Sequence, residues 1–240
     1  MLENEAHWNA KPALRAAYAQ FYERIAAWVD GSVPGHVVEL GSGLGKIKER
    51  LPQCLTTDIF PNPWLDRVED AYDLGFADQS VSHLILFDVW HHLERSGDAL
   101  AEFRRVLHPQ GRLILFEPAM SLLGRVAYGL CHHEPLGLRE PIRWEVSQDS
   151  KGLGAPYFAA QSFASRMFWF GEGKDELARA GWRVQHRSVL PALDYVASGG
   201  FRGPCFSPPV PQRLLTLANQ VLGCLPLVFG TRLLVVLAKN

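Results

Sequence analysis

The stretch His36–Lys46, HVVELGSGLGK, constrains this chain more than any other. Val37 to Leu40 reads as a buried strand, followed by glycine at 41, 43 and 45 and then a short helix. Glycine takes positive φ without penalty and lets a ligand lie against bare backbone, and the first N–H groups of the following helix face an acidic group. A ligand loop at the end of a strand implies an open α/β sheet, in which ligands sit beyond the carboxyl ends of the strands.

Spacing narrows the ligand. A dinucleotide turn, G-x-G-x-x-G, counted from Gly41 needs glycine at 46, where this chain has Lys46; a P-loop needs Ser or Thr after that lysine, and Ile47 follows it. What stands is Glu39-Leu-Gly41-Ser-Gly43-Leu-Gly45, E-x-G-x-G-x-G, which resembles the first motif of class I S-adenosylmethionine-dependent methyltransferases. Asp70 to Phe76 (DAYDLGF) resembles that family's D-A-x-x-L-P-F, with Gly75 in place of the proline. Glu102 to Pro118 (EFRRVLHPQGRLILFEP) resembles its next helix, turn and strand, so the resemblance runs from residue 36 to 118. The later layout, with YGLCHHEP and SGG, is similar to a group of bacterial type-11-like methyltransferases.

The resemblance implies a doubly wound, mostly parallel seven-stranded Rossmann-like sheet and S-adenosyl-L-methionine as cofactor. It puts Glu39, Gly41, Ser42, Gly43, Gly45 and Ile59 at the cofactor, Asp58 at its ribose, and Asp70 and Ala71 at its adenine. Phe87 completes the set. For Asp58 the chemistry agrees, because a carboxylate at a strand end offers two acceptor oxygens to the two ribose hydroxyls.

The chain, at 240 residues, suits one domain spanning 1–240, with room for insertions at 119–170 and 191–230 on the substrate side. A net charge of -1 and a pI near 6.8 argue against a general electrostatic hold on nucleic acid. Cysteines 54, 131, 205 and 224 are scattered, which fits a reducing, cytoplasmic setting. The N-terminus, MLENEAHWNAKP, has no apolar core of a secretory signal, and the apolar region Val221–Ala238 is interrupted by Gly223, Pro226, Gly230 and Arg232, so no membrane span is expected.

Taken in order, Pro12–Val29 is an amphipathic helix, either packing or covering the cofactor, and Cys54–Ile59 is a second strand. The two prolines of PNPW (61–64) replace the usual crossover helix and leave Leu65–Glu69 as an edge strand. Ser82–Val89 is a central strand, Asp98–Leu107 a helix, and a fifth strand ends at Glu117. Helices are expected at Ser121–Leu130, Lys174–Ala180 and Gln212–Leu222, and strands at Trp182–Leu190 and Arg232–Ala238.

Methyl transfer is an in-line displacement, so the enzyme mainly aligns donor and acceptor and excludes water. An oxygen acceptor benefits from a base, for which His91, His92 and His133 are the catalytic candidates, with His132 and Glu134 beside them. Cys131 to Glu134 can all bind metal, but consecutive residues rarely point at one ion, so no metal is assigned; whether His91 and His92 join them in space is open. Leu214, Leu217, Ala218, Val221 and Leu225 make an apolar helical stripe that reads as core, or else as a lid over a lipid-linked acceptor or a peripheral membrane contact. The reading is thus a methyltransferase acting on an oxygen of a small molecule, sugar or lipid-like acceptor. The alternative is an inactive binding or regulatory protein with the same fold.

Overall fold

Seven strands make one mixed sheet: β1 (His36–Leu40), β2 (Leu55–Asp58), β3 (Arg67–Val68), β4 (Val81–Phe87), β5 (Leu107–Pro118), β6 (Trp182–Leu190) and β7 (Arg232–Lys239), in the order β3-β2-β1-β4-β5-β7-β6. All neighbours from β3 to β5 are parallel, and β7 runs antiparallel between β5 and β6. The helices are α1 (Leu2–Ala10), α2 (Pro12–Ala26), α3 (Ser96–Val106), α4 (Leu122–Cys131), α5 (Lys174–Arg179), α6 (Leu193–Ser198), α7 (Gln212–Leu222) and α8 (Pro226–Phe229). This computed structural model describes residues 2–144, 157–201, 203 and 212–240; Cys205, the prolines at 208–211 and the side chains of Cys131 and Arg213 lie outside the described residues.

Both faces of the sheet are covered, and strand periodicity shows how. Side chains alternate across a strand. In β4, Leu84 and Leu86 join one core with Phe103 of α3, Phe163 and Trp182, while Ile85 and Phe87 join the other with Phe21 and Ile25 of α2. β5 divides likewise, Leu113 and Leu115 against Ile114 and Phe116, and so does β7, Leu233, Val235 and Leu237 against Leu234 and Val236. A strand buried on both faces must be continuously apolar, as these are.

α2 forms where the spacing of Leu14, Ala17, Tyr18, Phe21 and Ile25 predicts it, with Pro12 at its start, where no N–H is needed, but it ends at Ala26, short of Trp28 and the expected Val29. α1 was not legible, because only Trp8 of its described side chains is buried. Its end is held from outside: the Arg15 guanidinium donates to the carbonyls of Trp8 (2.6 Å) and Asn9 (2.7 Å).

Between β2 and β3 there is no helix. Asp66 closes that loop by accepting from the Thr56 N–H at 2.8 Å and from Lys48 Nζ at 2.7 Å. β3 keeps two residues of the expected five-residue edge strand, and the turn after the glycines is a 3-10 turn at Lys46–Glu49. Among the described residues no helix is long and apolar enough to cross a membrane.

Candidate active site

The strand order reverses between β1 and β4, and crevices that bind ligands form at such points. Here the crevice is a cavity of about 820 Å³. Gly41, Ser42, Gly43 and Leu44 form one wall. Gly41 and Gly43 take positive φ, 66° and 53°. A Cβ on Gly41 would stand 2.3 Å from Val89 Cγ2, so the chain leaving β4 presses on the loop and leaves room for glycine alone.

Under the loop lies Glu39, buried, with no hydrogen-bond partner for its Oε2. Burial raises its carboxyl to about 7, although a Ser42 hydrogen bond lowers it, and the Asp58 charge adds to the rise. The neighbouring Tyr22 and Cys54 are pushed up by burial and stay neutral near pH 7. A carboxyl raised from 4.5 holds its proton more tightly folded than unfolded, so its contribution to stability falls as pH rises from about 4.5 to 7. Glu39→Gln removes this loss. Without cofactor, the variant should gain about 3 kcal/mol on the wild type between pH 5 and pH 8 in urea unfolding. An equal stability difference at both pH values would refute the assignment.

The cavity brings together Glu39, Gly41, Ser42, Gly43 and Phe87 with His91, His92 and His133. Gly45, Asp58, Ile59, Asp70 and Ala71 do not reach its wall. Gly45 turns the chain against the Trp64 carbonyl, which a Cβ would approach to 2.8 Å. Asp58 braces the loop: its Oδ2 accepts from the Gly43 N–H at 3.2 Å and its Oδ1 from the Phe60 N–H at 3.1 Å. Ile59 is exposed. Asp70 closes its own turn, accepting from the Tyr72 N–H at 2.9 Å.

At the far end of the cavity the histidines gather around one carboxylate. Glu134, just after α4, has His91 Nε2 at 3.3 Å, His92 Nε2 at 3.8 Å, His132 Nδ1 at 3.6 Å and His133 Nε2 at 3.7 Å. It also accepts hydrogen bonds from the Tyr157 hydroxyl and the Gln161 amide. Burial works against its charge, but His91 and Tyr157 outweigh burial and hold the carboxyl well below the usual range.

His91 is clamped from behind by Glu117, whose Oε2 lies 2.6 Å from Nδ1. Burial alone would depress this imidazole, yet the Glu117 and Glu134 carboxylates push it up to about 10. His91 is therefore a charged donor rather than a base. His92 is the opposite case: burial and the charge of His91 lower it, and Nδ1–H donates to the Phe158 carbonyl at 3.0 Å, which leaves Nε2 as an acceptor at the cavity wall.

Two residues that shape the site, Glu117 and Arg232, escaped the sequence reading. Glu117, fully buried at the end of β5, accepts from the N–H groups of Val89 (2.8 Å) and Trp90 (2.7 Å) as well as facing His91. It thus shapes the chain leaving β4. Arg232, the first residue of β7, makes a two-pronged ion pair with Asp88 at 2.8 and 2.7 Å, enclosed by Phe21, Phe87, Phe116 and Tyr195. The available signal was an ionisable residue ending an otherwise apolar strand, as in LILFE and RLLVVLA.

A doubly wound sheet, a glycine loop at its switch point and an acid under that loop define a Rossmann-like enzyme for a nucleoside-bearing cofactor. Residues 38–115 match the family described as Methyltransferase domain, type 11. A search of the curated proteins found no match. Among solved structures, a SAM-dependent methyltransferase from Archaeoglobus fulgidus is 14% identical over 94% of this chain and 94% of its own, with a TM-score of 0.56. Geranyl diphosphate methyltransferase in complex with SAM is 12% identical over 92% and 85%, TM-score 0.55. The 4+2 cyclase SpnF is 13% identical over 92% and 81%, TM-score 0.52, so this fold also carries other chemistry. Residues 38–115 thus carry the match to a methyltransferase domain, and the chain as a whole shares the fold of solved SAM-dependent methyltransferases.

Proposed function

We propose that the protein transfers a methyl group from S-adenosylmethionine to an oxygen of an apolar or lipid-like acceptor. The observation that carries this reading is a single cavity with the glycine loop at one end and the His92–Glu134 cluster at the other. S-adenosylmethionine supplies a methyl carbon made electrophilic by its sulfonium. The unpartnered Glu39 Oε2 and the bare backbone of Gly41 and Gly43 suit its methionine end, where an ammonium group needs an acceptor. Asp58, which already braces the loop, is proposed for the ribose, and Asp70 with Ala71 for the adenine.

In the transfer, an oxygen lone pair of the acceptor forms the new C–O bond as the C–S bond breaks, its electron pair staying on sulfur. The hydroxyl proton leaves at the cluster, where His92 presents an acceptor nitrogen. Tyr18 and Tyr22 of α2 and Trp8 of α1 line the cavity from the N-terminal side, and Lys11 Nζ donates to the carbonyls of Gly200 (2.7 Å) and Gly203 (2.6 Å). These contacts hold α1 and α2 over the late segment and exclude water.

An apolar acceptor is supported by α4. Val126 and Leu130 both line the cavity and face solvent, at 55% and 81% exposure, and Leu122 beside them is also exposed. Leu214, Leu217 and Val221 of α7 add exposed apolar surface, which fits a peripheral lipid contact. The test is calorimetric titration with S-adenosylmethionine and NAD, followed by transfer of labelled methyl to hydroxylated lipids in vesicles. Saturable binding of the sulfur cofactor alone is expected, with label in the lipid, and a Leu130→Glu variant that raises KM while kcat holds. Absence of cofactor binding would overturn the reading.

A further inference from the structure

We propose that His91, His92 and Glu134 form a binding site for a divalent transition-metal ion at the acceptor end of the cavity. Their three ligand atoms lie within 4.8 Å of one another. Both imidazoles present Nε2 to the same carboxylate, at 3.3 Å from Oε2 for His91 and 3.8 Å from Oε1 for His92. An ion about 2.1 Å from each ligand sets them roughly 3.0–3.4 Å apart, so side-chain adjustment of up to roughly 1.5 Å in the widest pair completes the site.

Adjacent histidines usually diverge. These two sit on a single helical turn, Trp90–His92, with ring centroids 4.1 Å apart, and so converge. What holds them there is the second observation. A ligating histidine almost always donates its other ring N–H to a carboxylate or carbonyl, which fixes the ring and its tautomer. His91 Nδ1 faces Glu117 at 2.6 Å and His92 Nδ1 faces the Phe158 carbonyl at 3.0 Å. Glu117 is itself fixed by the Val89 and Trp90 N–H groups, and Glu134 by Tyr157 and Gln161. The supporting hydrogen bonds of a 2-His-1-carboxylate site are therefore in place.

Two imidazoles select zinc, iron or cobalt over magnesium and calcium, which prefer oxygen donors. Remaining coordination positions open on the cavity, with His132 and His133 as further donors. On binding, the ion takes the place of the proton shared by His91 and Glu134, which passes to solvent. An acceptor hydroxyl bound at an open position would lose its proton more readily, and His92 would then act as a ligand rather than as the base. That consequence rests on the methyltransferase reading; the binding of the ion does not.

The test uses chelator-treated full-length protein titrated with Co²⁺. Wild type should bind one equivalent with the visible absorption of a four- or five-coordinate site. Glu134→Gln and His92→Gln should each weaken binding by roughly 100-fold or more, whereas His108→Ala, outside the cavity, should not. A wild-type protein without a saturable Co²⁺ band, or variants that bind as wild type does, would overturn the site. Titration of the metal-free protein with S-adenosylmethionine separates the two readings: cofactor binding without a Co²⁺ band removes only the metal, and the reverse removes only the methyltransferase reading.

Discussion

Replacing Gly43 by aspartate should weaken S-adenosylmethionine binding by at least about 100-fold, or roughly 2.7 kcal/mol, with the fold retained. Gly43 lies in the cavity wall at φ 53°, and its N–H donates to Asp58 Oδ2. Aspartate is among the side chains that best tolerate this left-handed region, so strain stays near 1–2 kcal/mol. Its carboxylate, however, would enter the space where the cofactor lies against bare backbone, close to the carboxylates of Asp58 and Glu39. On the proposed placement, the carboxyl group of the cofactor's methionine end would meet a like charge. Gly171→Asp is the matched control: φ is 77° and a Cβ there meets nothing within 4 Å. It carries comparable strain outside the cavity. Calorimetry should show wild-type affinity for Gly171→Asp and little for Gly43→Asp, and equal affinities would remove the loop from the cofactor site.

Asp88→Asn should cost about 3 kcal/mol of stability, a large part of the roughly 5–15 kcal/mol that a domain has. Arg232 is 1% exposed, and its Nε has no hydrogen-bond partner, so its charge is offset chiefly by the two Asp88 oxygens. Four surrounding rings, with centroids 4.8–5.3 Å from the guanidinium carbon, attract the cation but accept no proton from it. Asparagine keeps the shape and tolerates the φ of 57° that Asp88 adopts, so the change isolates the charge. The cost falls at the lower end for a buried pair because the Asp88 side chain is 28% exposed on the cavity side. Removing the guanidinium as well, in Asp88→Asn with Arg232→Met, should restore more than half of the loss. Urea unfolding of both variants measures this, and a single variant within about 1 kcal/mol of wild type would show that the pair is not a structural clamp.

The glycine loop and the central strands were legible because their information is local. Alternation in β4, β5 and β7 states which residues face which core, and E-x-G-x-G-x-G states where the backbone must be bare. The shortened second crossover was equally plain in PNPW, since proline cannot continue a helix. The helix α1 was not, because what holds it is the Arg15 side chain and one buried tryptophan. The expected ribose and adenine residues were read from motif position and from what a carboxylate can accept. Motif position does not reveal that the Asp58 oxygens meet backbone N–H groups of Gly43 and Phe60, or that Asp70 closes its own turn.

By itself the sequence determined the doubly wound sheet and the glycine loop at its switch point, because each follows from residue type at short, regular spacing, and its motifs carried the resemblance to methyltransferases. Only the tertiary structure decided the acceptor end. His91 faces Glu117 across 26 positions, and Asp88 meets Arg232 across 144. Such pairs require the closure of segments far apart in the chain, so no periodicity along it records them. The same closure sets four histidines around Glu134 and makes one imidazole a charged donor and its neighbour a neutral acceptor.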